Sequence, residues 1–268
     1  MEILMNRYKT SRIAPMIMAA LLAITSVIPV AAMASDDQSA QLDKESLEFV
    51  LAIKRGLRIA NEAYENKEYA EAFPLYEALA SKGLDLAEFK LGRMYELGLG
   101  VKVDLNKAAR LYEPATEKGN VEAMFYLARF HFNGLGGLKE DFREGLRLWY
   151  RASNLDHAPS AYALGSAMMK MGKKDLGYEQ IKLAAYLKHP EAQLEMAKII
   201  MVGDSPKNES SWVLANSWAL AALMNGIDEG KELIELIEPN LSNDEKKSAA
   251  RAFLSLLRSI KKFNGEEL

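Results

Sequence analysis

Along most of the chain, apolar residues recur at the i, i+3, i+4, i+7 spacing of amphipathic helices, and one short pattern returns four times. "AEFKLGRMYELGLG" begins at Ala87, "AMFYLARFHFNGLGG" at Ala123, "SAYALGSAMMKMG" at Ser160 and "AQLEMAKIIMVGD" at Ala192. Leu91, Leu127, Leu164 and Met196 form an apolar column. A small-residue column follows it directly: Gly92, Ala128, Gly165 and Ala197. Ala108, Gly145, Gly177 and Ala215 form a second small column in the following helix of each unit, and Ala60 and Ala72 mark an earlier unit in the same way. A small residue on each of two antiparallel helices clears the space between their axes, so the pattern predicts about five closely packed helix hairpins. Self-similarity at about 36 residues is the mark of a stacked helical array. No stretch reads as a strand.

Glycines punctuate this pattern with separate meanings. Gly92 is kept small for helix contact. Gly98 and Gly100 are predicted to end a first helix and shape the loop after it, where positive φ costs glycine little. Gly119 and Gly226 close second helices, and Gly134 and Gly136 repeat the loop pair in the next unit. Asp104, Asp141 and Ser211 stand at equivalent N-cap positions. "SNDE" at 242–245 reads as a capping box behind the break at Pro239. Pro74 and Pro114 fall inside predicted second helices, where a mild bend is expected.

The ends differ from the middle. Residues 1–34 combine a short basic stretch, the apolar run "MIMAALLAITSVI" and the small residues Ala32 and Ala34, the layout of a cleaved export signal with its cut after Ala34. Residues 35–44 read as a disordered polar linker, 45–83 as an N-terminal helical cap and first hairpin, 84–226 as the repeats and 227–268 as C-terminal capping helices. The 268-residue chain has no cysteine and a net charge of −3. Stability therefore rests on burial without disulfides. Mild acidity argues against nucleic acid as a partner, and no stable membrane insertion is expected once the signal is removed. The export signal points to a periplasmic or secreted protein.

Residues 87–122 resemble a Sel-one-like repeat, a longer-looped relative of the tetratricopeptide repeat. The match rests on Ala87, Leu91, Gly92, Tyr95, Gly98, Gly100, Val101, Asp104, Lys107, Ala108, Ala115 and Gly119. The second unit keeps Ala123, Leu127, Gly134, Gly136, Asp141 and Ala152, and departs at His131 and Gly145. The third has lost the glycine loop. The resemblance, over about residues 54–226, implies an all-α fold, an α-solenoid of antiparallel hairpins. It also implies an adaptor role with protein partners.

The chemistry-bearing residues do not assemble into a catalytic motif. His131, His157 and His189 are the only histidines. Equivalent positions in successive units stand about a helix layer apart, ~10 Å, too far to share one zinc, whose ligands lie at ~2 Å. The glycine-rich stretches lack the strand and Lys-Ser/Thr of a phosphate loop. No enzyme activity, cofactor or metal is expected. A binding face fits better. In such solenoids first helices line the concave surface, and positions i, i+4 and i+7 share one side. Those positions give an aromatic row with Phe89, Phe125 and Tyr162, a basic row with Arg93, Arg129 and Lys198, and a mixed row with Glu96, Phe132, Met169 and Met201. The expected function is a non-enzymatic scaffold of the bacterial cell envelope, with its partner on the concave face. The alternatives are a binder or hydrolase of a peptidoglycan-like ligand, or the same solenoid held to the membrane by an uncleaved anchor.

Overall fold

The computed structural model describes residues 36–203 and 211–266. The expected export signal, residues 1–34, lies outside the described residues. Those described form twelve α-helices and one short 3-10 turn, without a strand among them. They divide into two compact units, one ending at Asp141 and the other beginning at Phe142.

The first unit contains α1 (Asp36–Glu65), α2 (Tyr69–Ala80), α3 (Asp85–Leu97), α4 (Leu105–Glu117) and α5 (Val121–Asn133). Consecutive helices pack on one another, α1 with α2, α3 with α4, and α5 on α4. Helix α1 begins at Asp36 and so takes in the segment 36–44, which the sequence reading expected as a disordered linker. Its polar residues continue into the apolar-periodic stretch without glycine or proline, so nothing local stops the helix earlier. Helices α2 and α4 run through Pro74 and Pro114.

Caps fix the boundaries. The Asp104 side chain accepts from the Lys107 N–H at 3.0 Å, and Asn120 accepts from Ala123 N–H at 2.9 Å, each satisfying a first-turn donor. Gly98 and Gly134 end α3 and α5 in the left-handed conformation, as their spacing predicts.

The glycine loops reach back to the preceding hairpin. A Cβ on Gly100 would stand 2.6 Å from the carbonyl oxygen of Tyr69, at the start of α2. One on Gly136 would stand 2.5 Å from the carbonyl oxygen of Leu105, at the start of α4. Both also have positive φ. Each loop is therefore a backbone-on-backbone contact with the second helix one repeat earlier. Across the next junction Lys118 joins Glu88 at 2.5 Å and donates to the Gly83 carbonyl at 3.0 Å.

The second unit contains α6 (Phe142–Ser153), α7 (Ala158–Lys170), α8 (Lys174–Tyr186), α9 (Pro190–Met201), α10 (Trp212–Met224), α11 (Glu229–Ile237), the 3-10 turn Glu238–Asn240 and α12 (Asn243–Phe263). The α7/α8 hairpin closes through a short turn at Gly172 in place of the paired-glycine loop, and here the two small columns meet as expected. A Cβ on either Gly165 or Gly177 would lie 2.9 Å from the other's carbonyl oxygen. Buried Tyr178, Ile181, Met196, Trp218, Leu233 and Ile260 belong to one core that carries the closing helices. Ser242 and Glu245 form the expected capping box at the head of α12.

Repeat junctions share one backbone feature. Gly83, Gly119, Asp156, Lys188 and Gly226 all have positive φ. Three of the five are glycine. Asp156 and Lys188 adopt the same conformation with a side chain in place.

Candidate partner-binding site

Glu96 is the hub of the first unit. It stands in the last turn of α3, and its carboxylate receives donors from three helices. Arg93, one turn back on α3, donates from Nη1 to Oε2 at 2.8 Å. The Tyr112 hydroxyl of α4 donates to the same oxygen at 2.5 Å. Arg129 of α5 donates from Nη2 to Oε1. The Glu96 side chain is 9% exposed, against 18% for Arg93 and 36% for Arg129. The pair thus presents a half-open guanidinium edge over a buried carboxylate.

An aromatic group holds these charges in place. The Arg93 guanidinium lies 4.0 Å from the centroid of the Tyr126 ring, and that of Arg129 lies 5.1 Å away, both within cation–π range. Tyr126 stacks on Tyr112, centroids 5.8 Å apart, and Phe89 lies 5.7 Å from it. Phe125 meets Tyr126 edge-on at 5.1 Å. The Tyr112 ring fills the space left by Gly92, where a Cβ would stand 2.6 Å from Cε1. Gly92 is therefore small to admit an aromatic ring; the direct backbone crossing of the α7/α8 hairpin is a different use of the same column.

Burial shapes the electrostatics. It raises the Tyr112 hydroxyl well above its ordinary range, with Arg93 opposing, so Tyr112 is a stable donor to Glu96. Arg129 is lowered by burial and by the neighbouring Arg93 charge, and its Nε–H is buried without a protein acceptor. Farther along α3, Lys90 sits over the Tyr64 ring at 4.6 Å.

Of the residues singled out by spacing, the structure brings Phe89, Arg93, Glu96, Phe125 and Arg129 into this one cluster. Phe89 is buried and packs between helices, and Phe132 is half-buried on α5. In the second unit Tyr162 and Met169 line a cavity of about 290 Å³ together with Ser166, Lys170, Ile181 and Glu195. Met201 is half-buried against the core, and Lys198 is exposed on α9. Tyr112 and Tyr126 complete the site without having been singled out. Tyr112 lies on a second helix, and Tyr126 stands beside the Leu column, outside the three rows compared. The one available signal is that Tyr112 follows the small residue Ala108 by one helical turn.

His157 and His189 stand at helix starts, and His131 lies in the last turn of α5. His157 precedes α7 and lies 2.8 Å from the Ser160 hydroxyl. His189 accepts from the Ala192 N–H at the head of α9 and stacks on Tyr162 with centroids 4.7 Å apart. Among the described residues no group of three His, Asp or Glu is placed to hold a metal ion, and no helix is long and apolar enough to cross a membrane.

Comparison with known proteins agrees with this architecture. Residues 85–120 and 121–157 match the Sel1 repeat. Chitin synthase regulatory factor 3 of Schizosaccharomyces pombe is 31% identical over 132 residues, covering 49% of this chain and 13% of that protein. Chitin synthase regulatory factor 1 of the same yeast is 32% identical over 102 residues, 37% of this chain and 22% of the relative. Protein sel-1 homolog 2 of Homo sapiens is 32% identical over 120 residues, 43% and 17% respectively. The matches thus span between 13% and 22% of the length of these relatives. A Sel1 repeat protein from Oxalobacter formigenes shares the fold with a TM-score of 0.65 at 23% identity, covering 77% of this chain and 87% of that one. A protective antigen of uropathogenic Escherichia coli strains displaying an SLR fold superposes at 0.55 with 16% identity, over 84% and 59%. Sel1-repeat proteins are protein-interaction scaffolds, generally without catalysis. With its two repeats in tandem and a solenoid fold shared with these structures, the chain is a Sel1-like repeat protein.

Proposed function

We propose that the protein is a non-enzymatic scaffold of the bacterial cell envelope that holds a polypeptide partner against the first helices of its repeats. The observation that carries this reading is the Tyr126 ring, bracketed by Arg93 and Arg129 on half-exposed surface. Arginine and tyrosine are the residue types that dominate interface energetics, because each offers a flat, semi-rigid contact with polar edges. Here both are held in place before any partner arrives, which lowers the ordering cost of binding.

Export fits the basic and apolar layout of residues 1–34. N-terminal sequencing of the protein from the periplasmic fraction should begin at Ser35; recovery only with Met1 intact would overturn cleavage.

The scaffold reading is tested by photo-crosslinking in cells. A photoreactive residue at Lys90, beside the cluster, should give a discrete adduct with one or a few polypeptides. The same residue at exposed Arg110 of α4 should not. Identical adduct patterns from the two positions, or none from Lys90, would remove the first-helix face as the binding surface.

A further inference from the structure

The Glu96 cluster is unbalanced in charge. Two guanidinium groups share one carboxylate, and that carboxylate already accepts a third hydrogen bond from Tyr112. Lys90 adds a further cation on the same helix. The acid nearest to Tyr64 in sequence is the exposed Glu65 of α1, which acts on Tyr64. This cationic group stands in a chain whose net charge is −3. Arg129 bears the imbalance directly, since Arg93 repels it and its buried Nε–H has no acceptor. A half-buried cation without full compensation is a costly arrangement unless another group completes it.

A second carboxylate is the completion that fits. Guanidinium binds carboxylate through two parallel hydrogen bonds, and the outward edges of Arg93 and Arg129 remain partly open while their inner edges are engaged by Glu96. The half-buried Tyr126 ring, over which both guanidinium groups lie, adds apolar surface beside them for the carbon atoms that carry the carboxylate.

We propose that Arg93 and Arg129 together receive a carboxylate of the partner polypeptide, from an Asp or Glu side chain or from its C-terminus. The proposal rests on the scaffold reading and adds the chemical class of the group recognised.

The test uses the full mature chain and four N-acetylated tetra-alanine peptides. One carries a free C-terminal carboxylate and one is amidated. The other two are amidated and carry a single Glu or a single Gln. The Nε–Hε signals of Arg93 and Arg129 are followed by NMR as each is added. Peptides with a carboxylate should shift both signals with a Kd near ~1 mM, the strength of one charge-assisted contact site. Addition of salt should weaken the binding. Comparison of the C-terminal and Glu peptides assigns the source of the carboxylate. Arg129→Lys keeps the charge and loses the planar fork, and should weaken binding about tenfold. The proposal is overturned if no carboxylate peptide shifts the signals up to about 20 Kd units of that scale, or if the amidated Ala or Gln peptide shifts them equally. Both outcomes are read on the unmodified protein, so they do not depend on a variant folding. Crosslinking from Lys90 without carboxylate binding would remove this proposal and leave the scaffold reading. Carboxylate binding without crosslinking would keep Arg93 and Arg129 as a carboxylate site and remove the polypeptide partner, and the scaffold reading with it.

Discussion

Gly92 and Tyr112 are fitted to one another: the ring of Tyr112 occupies the place a Cβ on Gly92 would take, 2.6 Å from Cε1. The same ring carries the hydroxyl that donates to Glu96. Gly92→Ala should therefore displace the tyrosine and destabilise the protein by roughly 1–3 kcal/mol, the usual range for overpacking. Tyr112→Leu should cost stability by itself and relieve part of the Gly92→Ala penalty. A double-mutant cycle in urea reads the coupling, and strictly additive costs would show that the ring does not fill that space.

Glu96 should matter more than either arginine. Glu96→Gln replaces one carboxylate oxygen with a donor and leaves an arginine or Tyr112 without its acceptor. The expected loss is roughly 2–3 kcal/mol. Arg129→Gln should cost about 1 kcal/mol or less, because its end is partly solvated. Denaturant midpoints at unchanged slope decide the order.

The two loop glycines should tolerate no side chain. Gly100→Ala and Gly136→Ala combine positive φ with a clash against a backbone carbonyl, and each should destabilise by roughly 2–4 kcal/mol. Gly119 also has positive φ but has open space around its added Cβ. Gly119→Ala should cost only about 1 kcal/mol. Equal losses at positions 100 and 119 would remove the carbonyl contact as a cause.

At the junction between α6 and α7, Asp156 holds φ at 56°. Non-glycine residues pay about 1 kcal/mol in this region. Asp156→Gly should thus raise thermal stability only slightly, by about 0.5 kcal/mol or less after the added unfolded-state entropy of glycine. A lower melting temperature would contradict this.

His189 should make the second unit sensitive to acid. Burial lowers its pKa from the ordinary 6.5, Glu191 partly opposes this, and His157 adds to the lowering. The unfolded chain therefore binds the proton first as pH falls below about 6.5, and stability present at higher pH is lost. His189→Asn keeps a cap acceptor for the Ala192 N–H. Melting temperature from about pH 8 to pH 5 should fall more steeply for the wild type than for this variant, and parallel profiles would remove His189 as the cause.

The repeat was legible because stacking acts on single positions. Gly100 and Gly136 lie on the backbone of the previous hairpin and Gly98 and Gly134 end their helices at positive φ, so all four stand out in the letters. Junction geometry was visible at Gly119 and Gly226 and hidden at Asp156 and Lys188, where a side chain tolerates the same φ. The Glu96 cluster was half legible. Spacing along one helix finds Arg93 and Glu96, and comparison of equivalent positions finds Arg129. It cannot find their convergence with Tyr112 and Tyr126, which depends on how three helices meet. The helical start of α1 at Asp36 was missed because a polar composition says little about a segment whose helix is continued from its C-terminal side.

Gly100 over Tyr69 and Gly136 over Leu105 also say where one module ends and the next begins. The part that must stay intact is a second helix with the first helix and loop that follow it, out of phase with the hairpin. A shortened array should therefore be cut from Tyr69 through Asp104, so that Leu105 takes the place of Tyr69 after α1 and Gly136 keeps its own carbonyl partner. Cutting out the α3/α4 hairpin would leave that glycine loop facing a helix start to which it was never matched.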